Sequence, residues 1–283
     1  MMVIRSCAEM SALAEQQRLQ GNKIALVPTM GYLHAGHLSL VKVARQKADW
    51  VVMSIYVNPT QFGPQEDFAR YPRDFDRDLQ LAESVGTDLI FAPTDIEMYP
   101  PPHLTQVVVD KVTAVLCGAS RPTHFQGVTT VVSMLFNIVK PHIAIFGQKD
   151  AQQAVVIRRM VADLHYDIQI IVSPIVREPD GLAMSSRNRY LTATQRKNAP
   201  VLYRALQKAK ARIEGGENDP SAVQEEIRRT LTSVDEMRID YVQIVDGETL
   251  QPVEKLDKEQ NILLAVAVFL GNTRLIDNAI VYT

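Results

Sequence analysis

Short apolar runs, separated by segments of helical spacing, constrain the fold of this chain more than any single motif does. The runs fall at residues 24–28, 51–57, 88–92, 143–146 and 168–172, and turn residues such as Asn58-Pro59, Gly147 and Pro174 close them. Runs of that length suit buried strands better than helices. Between them, residues 34–48, 75–85, 128–139 and 150–164 read as helices. Leu38, Val41 and Ala44 fall on one side of the first, and Asp150 suits the N-cap of the last. Buried strands alternating with helices predict an α/β fold, a parallel sheet with helices on both faces. Ligands of such sheets sit beyond the carboxyl ends of the strands, which singles out the junctions 28–37, 58–63 and 147–153.

After about Pro174 the rhythm changes. A helix is predicted over 195–213, a break at Gly215-Gly216, and a second helix over 221–231. Strands follow at 241–245, 262–270 and 275–281. Helices followed by consecutive strands read as a smaller C-terminal α+β domain. The predicted division is 1–175 and 176–283, and 283 residues accommodate two domains of common size. A formal net charge of -2 offers no generally basic surface to nucleic acid. Cys7 and Cys117 form no CxxC and no Cys/His cluster, so neither a structural zinc nor a disulfide framework is expected. The first residues lack the apolar core of a signal peptide. The longest wholly apolar run, 262–270, is too short to cross a bilayer. A cytoplasmic protein with no membrane partner is the expectation.

The first chemical constellation is Thr29-Met30-Gly31-Tyr32-Leu33-His34-Ala35-Gly36-His37, a strand-to-helix turn. Unpaired amides at a helix start favour anions, and histidines three apart face the same side. Together they suit phosphate oxygens; a turn with surface histidines, one capping the helix, is the equal alternative. Gly147-Gln148-Lys149-Asp150 puts a lysine between strand end and helix start, either as a point charge on a phosphate or as a surface lysine beside a capping aspartate. Gln152 and Gln153 add a polar face to the next turn. Met184-Ser185-Ser186-Arg187, led by Gly181, carries hydroxyls and a guanidinium that can donate to a triphosphate, or forms a solvated loop. Asn58 and Gln61 sit at another strand end, followed by Tyr71-Pro72-Arg73. Their amides can orient a small polar substrate or serve an Asx-type turn. Arg121 and His124 lie in the irregular stretch that opens the helix near 128, as a functional loop or a plain connection.

His34-Ala35-Gly36-His37 resembles the HxGH signature of class I aminoacyl-tRNA synthetases and related nucleotidyltransferases, and neither a P-loop nor a GxGxxG fingerprint is present. The 185–187 segment resembles their KMSKS loop with its lysines missing. In order, PTMGxLHxGH, VNPxQF, YPR, SRPxHFxGV, GxKDxQQ and DGLAxSSRN resemble the pantothenate synthetase family, the pantoate–β-alanine ligases, from about residue 24 to 191. Gln148, where the family often has an acid, and Gln126 stand at variable positions of that pattern.

The resemblance implies a Rossmann-like domain and the ATP-dependent joining of pantoate to β-alanine through a pantoyl adenylate, with AMP and pyrophosphate released. That reaction belongs to pantothenate and coenzyme A biosynthesis. Mg²⁺ accompanies ATP, with no protein metal ligand assigned, and a homodimer is implied. His34, His37 and Lys149 are the implied catalytic groups. ATP contacts fall on Met30, Gly31, Tyr32, Leu33 and Ala35-Gly36, and on Gly147, Gln148 and Asp150. Val176 and Met184 line the nucleotide, and Ser185, Ser186 and Arg187 close over the triphosphate. Gln61, Gln153 and Asn58 hold the pantoate and β-alanine, with Arg121 and Tyr71 as further candidates. A nucleotidyltransferase acting on another acid shares the ATP half of this set, whereas a non-catalytic nucleotide sensor keeps the Rossmann shape but need not keep Lys149 and both histidines together.

Overall fold

The structure, a computed structural model, describes residues 1–64 and 66–283. The chain divides into two compact units. Met1–Asp110, Arg121–Gly147 and Val156–Pro174 make the first; Lys111–Ser120, Gln148–Val155 and Ile175–Thr283 make the second.

The first unit is built on strands β1 (Met2–Ile4), β2 (Ile24–Thr29), β3 (Trp50–Ile55), β4 (Leu89–Phe91), β5 (Ile143–Gly147) and β6 (Gln169–Ser173). They form one six-stranded sheet in the order β1-β4-β3-β2-β5-β6, parallel throughout. Side-chain alternation explains the near-continuous apolar runs. Ala25 and Val27 of β2, Val51 and Met53 of β3 and Ile143 and Ile145 of β5 share one cluster with Leu40, Val41 and Ala44 of the helix Ala35–Arg45. Their neighbours Leu26, Val52 and Ala144 point the other way and are buried as well. Each such Leu or Val contributes about 1.5–3 kcal/mol by leaving water. The chain runs outward from β2 through β3 to β4, then starts afresh on the other side of β2 with β5. The topological switch therefore lies between the carboxyl ends of β2 and β5.

The predicted strands of this unit are all present, with ends moved by a residue or two. Absent from the sequence reading are β1 and the helix Cys7–Leu19. That helix buries only Met10 and Ala14, so its apolar stripe is faint. The helix read from 128 begins at His124, and that read from 150 begins at Ala151 after the 3₁₀ turn Gln148–Asp150.

In the second unit, β7 (Met237–Asp246), β8 (Asn261–Leu270) and β9 (Thr273–Tyr282) form an antiparallel sheet in that order. Leu202, Leu206 and Ile213 of the helix Val201–Glu214, and Val223, Ile227 and Leu231 of the helix Pro220–Thr232, pack with Ile262, Leu264, Val266 and Val268 of β8. The helix predicted over 195–213 is in fact two, Ala193–Asn198 and Val201–Glu214. Pro200 divides them, because its ring removes a backbone donor and clashes with the preceding turn. The other face of β8 packs Leu263 and Ala265 against Leu116, Ala151 and Leu250. Cys7 and Cys117 are free thiols. Among the described residues no helix is long and apolar enough to cross a membrane.

Candidate active site

In the first unit, β2 ends at Thr29, whose hydroxyl donates to Ser54 O at 2.7 Å and accepts the Gly31 amide at 3.2 Å. Gly31 takes φ +78°, and a Cβ there would stand 2.9 Å from Asp78 Oδ2 and 3.0 Å from an Ile55 methyl, so only glycine fits. Tyr32 follows at φ +49°. Its amide donates to Asp78 Oδ2 and that of Leu33 to Asp78 Oδ1, each at 2.7 Å. Burial pushes the Asp78 carboxyl up from its ordinary value, while these amides and Arg77 pull it back.

The helix Ala35–Arg45 then starts with the histidines in a reciprocal cap. His34 Nδ1 accepts the Gly36 amide at 3.1 Å, and His37 Nδ1 accepts the His34 amide at 3.3 Å. The rings stand 4.0 Å apart between centroids. A neutral imidazole that accepts at Nδ1 carries its proton on Nε2. The cap thus sets each ring as an Nε2–H donor at a helix N-terminus, an arrangement that caps the helix and leaves a geometry chemically suited to an anion.

The Asn58–Gln61 turn of the same unit is held from several sides. Asn58 is buried. Its Nδ2 donates to Gly127 O at 3.1 Å and Gln61 Oε1 at 3.3 Å, and its Oδ1 accepts from Tyr99 OH at 2.8 Å and Thr60 Oγ1 at 2.9 Å. Gln61 donates from Nε2 to Met30 Sδ at 2.9 Å, which brings two predicted site residues together. Arg121 donates from NH2 to Gln61 O at 3.2 Å, and His124 Nδ1 meets the same oxygen at 2.9 Å. Arg121 also pairs with Glu66. Burial would raise that carboxyl, but the guanidinium, together with His124 and the Gly63 backbone, holds Glu66 below its ordinary value. Tyr71 is buried and packs edge-on to Phe62.

In the second unit, Gln148, Lys149 and Asp150 form the 3₁₀ turn that leads into Gln152 and Gln153. Gln152 is spent on structure: it accepts the Cys117 amide and donates to Val112 O and Val115 O, anchoring the 111–120 segment. Met184 donates its amide to Val176 O at 3.0 Å, so the residues predicted to line the nucleotide are adjacent. Ser185 caps the 3₁₀ helix Ser186–Tyr190 by accepting the Arg187 amide at 3.3 Å. The sequence reading missed Asp78, Asp277 and Asn278, the last two of which hold the Lys149 and Gly181 segments. It also missed Gly127 as a close approach, although Gly127 lies inside the SRPxHFxGV block. Among the described residues no cluster of three His, Cys, Asp or Glu side chains could hold a metal ion.

A parallel sheet whose second strand opens into an HxGH helix start defines a member of the HxGH nucleotidyltransferase superfamily. Within it the chain belongs to the Pantoate-beta-alanine ligase family, whose model matches residues 2–280. It is 56% identical over 280 residues to the pantothenate synthetase of Moorella thermoacetica, covering 99% of this chain and 98% of that one. It is 55% identical to that of Thermotoga petrophila, covering 99% of each. Among solved structures, pantothenate synthetase from Thermus thermophilus superposes with a TM-score of 0.93 at 46% identity, covering 100% of both chains. The Francisella tularensis pantoate-beta-alanine ligase, complexed with beta-gamma ATP and beta-alanine, does so at 0.81 and 33% identity, covering 99% of this chain and 97% of that one.

Proposed function

We propose that this enzyme condenses pantoate with β-alanine at the expense of ATP, through a pantoyl adenylate. The pantoate carboxylate attacks the α-phosphorus and the bond to pyrophosphate breaks. The β-alanine amine, as the free base, then attacks the acyl carbon, and the C–O bond to AMP breaks. The observation that carries the adenylate is the chemistry of the candidate set. His34, His37, Lys149, Ser185, Ser186 and Arg187 are donors and cations suited to phosphate, and the two imidazoles, the bases of the set, are engaged at Nδ1 in the helix cap.

In this reading His34 and His37 donate from Nε2 to phosphate oxygens, and Lys149 takes the role of the missing KMSKS lysines. Main-chain atoms of Met30 to Ala35 and Gly147 to Asp150 border the nucleotide with Gly36, Val176 and Met184. Gln61 and Gln153 hold pantoate, and Asn58 acts through its bond to Gln61. Residues 1–175 carry the pantoate contacts and most ATP contacts, and 176–283 carry the 185–187 phosphate segment. Mg²⁺ arrives as the chelate of its substrate ATP, with no protein ligand proposed. A homodimer located in the cytoplasm completes the reading. The test is exchange of labelled pyrophosphate into ATP with pantoate and Mg²⁺ present and β-alanine absent. Exchange under those conditions is expected. Exchange that strictly needs β-alanine, or ADP as product, would overturn the adenylate route.

A further inference from the structure

Adjacent residues of β9 grip separate candidate phosphate segments of the second unit. Asn278 Nδ2 donates to Gln148 O at 2.9 Å and Lys149 O at 3.0 Å, and its Oδ1 accepts from Gln148 Nε2 at 3.0 Å. Asp277 accepts both arms of Arg177, NH1 at 2.7 Å and NH2 at 3.0 Å. Arg177 NH1 also donates to Gly181 O at 3.0 Å, and its guanidinium lies 4.3 Å from the Tyr203 ring centroid. Gly181, at φ +95°, has no room for a Cβ, which would stand 2.2 Å from the same ring. Arg177 pairs with Ala183 across a β-bridge, so the stem it anchors runs straight into Ser185, Ser186 and Arg187.

Consecutive residues of a strand point to opposite faces. Asp277 and Asn278 are both buried, and their registers on β8 are Val266 and Ala265. A rigid strand therefore sets how far the Lys149 turn stands from the 177–187 stem. We propose that Asp277 and Asn278 are positioning residues for the nucleotide, fixing the spacing between the Lys149 ammonium and the 185–187 donors so that one triphosphate spans both. This rests on the reading that those groups bind phosphate. Neither Asp277 nor Asn278 touches substrate; each acts through the segment it holds. Loosening either grip costs alignment, felt most by a ligand that needs both segments and least by pantoate, whose Gln153 rides on the helix Ala151–Asp163 anchored separately through Gln152.

The test is calorimetric titration of MgATP into the full-length protein, with the pantoate KM read from pyrophosphate exchange. Asn278→Ala is expected to weaken MgATP about tenfold, the scale of one to two lost hydrogen bonds, with the pantoate KM within about twofold of the parent. In a Lys149→Ala background it is expected to add little further loss, because coupled residues are not additive. The same holds for Asp277→Asn in an Arg187→Ala background. Equal weakening of both substrates, or full additivity, would mean a merely structural role. If Asn278→Ala does not fold, Asn278→Ser leaves a smaller cavity and takes the same measurements. Should Lys149→Ala bind MgATP normally, the phosphate reading falls and this inference with it. Should Lys149→Ala weaken binding while Asn278→Ala does not, the positioning role alone is wrong.

Discussion

Asp78 Oδ1 accepts the Leu33 amide at 2.7 Å from a helix 45 residues further along the chain, and its other oxygen takes Tyr32. The left-handed turn before the histidines is therefore closed by a side chain and not by its own backbone. Asp78→Ala would leave buried amides without an acceptor. We expect a stability loss of about 1–3 kcal/mol in urea unfolding, together with a fall in pyrophosphate exchange. Unchanged exchange in that variant would show that the histidine turn holds itself.

His37→Ala removes one member of the reciprocal cap and one candidate donor. Loss of the cap alone costs about 0.5–2 kcal/mol of stability. Loss of a donor aimed at the reacting phosphate costs on the order of a hundredfold in kcat. Both are expected, with circular dichroism showing a folded protein. A stability change with near-normal turnover would leave His37 as a cap only.

Gly127→Ala tests the approach of the helix His124–Val139 to the Asn58–Gln61 turn. The new methyl would fall 2.4 Å from Thr60 O and 2.5 Å from Thr60 C, both backbone atoms that cannot swing aside. Overpacking of this kind costs about 1–3 kcal/mol. Because Gln61 rides on the displaced turn, the pantoate KM is expected to rise more than that for ATP. Equal changes in both would detach Gln61 from pantoate.

Gln153→Ala is expected to raise the pantoate KM by an amount equivalent to about 1–3 kcal/mol, with the ATP KM little moved. Gln152→Ala, one residue earlier, should instead lower stability, since its amide is fully engaged with residues 112–117. Steady-state kinetics and thermal melts of the pair separate these outcomes.

His142 gives a pH dependence. Its Nδ1 accepts the Ile24 amide at 2.9 Å, at the start of β2, which requires the neutral ring. Burial, helped by the charges of Arg18 and Lys23, lowers its pKa below the ordinary imidazole value. The unfolded chain therefore takes up this proton first. Stability is full above about pH 6.5 and falls as pH drops from there through the lower folded value. His142→Asn, whose carbonyl can accept the same amide, should flatten that part of the Tm profile. An identical slope in the variant would assign the acid sensitivity elsewhere.

Strands β2 to β5 were legible because a parallel strand covered on both faces reads as a near-continuous apolar run; β1, three residues long with Met2 and Val3 exposed, was not. The helix Cys7–Leu19 was not, since it buries only two side chains, Met10 and Ala14. In the site, His34, His37 and Lys149 could be found at strand ends by type and spacing. Asp78 carried a usable signal: it lies three after Phe75 and four before Ala82, on the apolar stripe of its helix, where a charge needs a buried partner. Asp277 and Asn278 carried none beyond interrupting an apolar strand, because what they hold lies about 100 and 130 residues away in sequence.

The compact units also constrain how a chain like this is inherited. The chain passes from one unit to the other after residues 110, 120, 147, 155 and 174, five crossings in all. A gene fragment encoding only the last stretch would lack Leu116 and Ala151, which cover Leu263 and Ala265 of β8. Cut free, that sheet face would keep Leu250 but lose the cover of Leu116 and Ala151, and the apolar surface left open would favour aggregation. The C-terminal sheet is therefore no detachable cassette for recombination to lend to another enzyme; its cover is encoded earlier, in residues 111–120 and 148–155, and must travel with it.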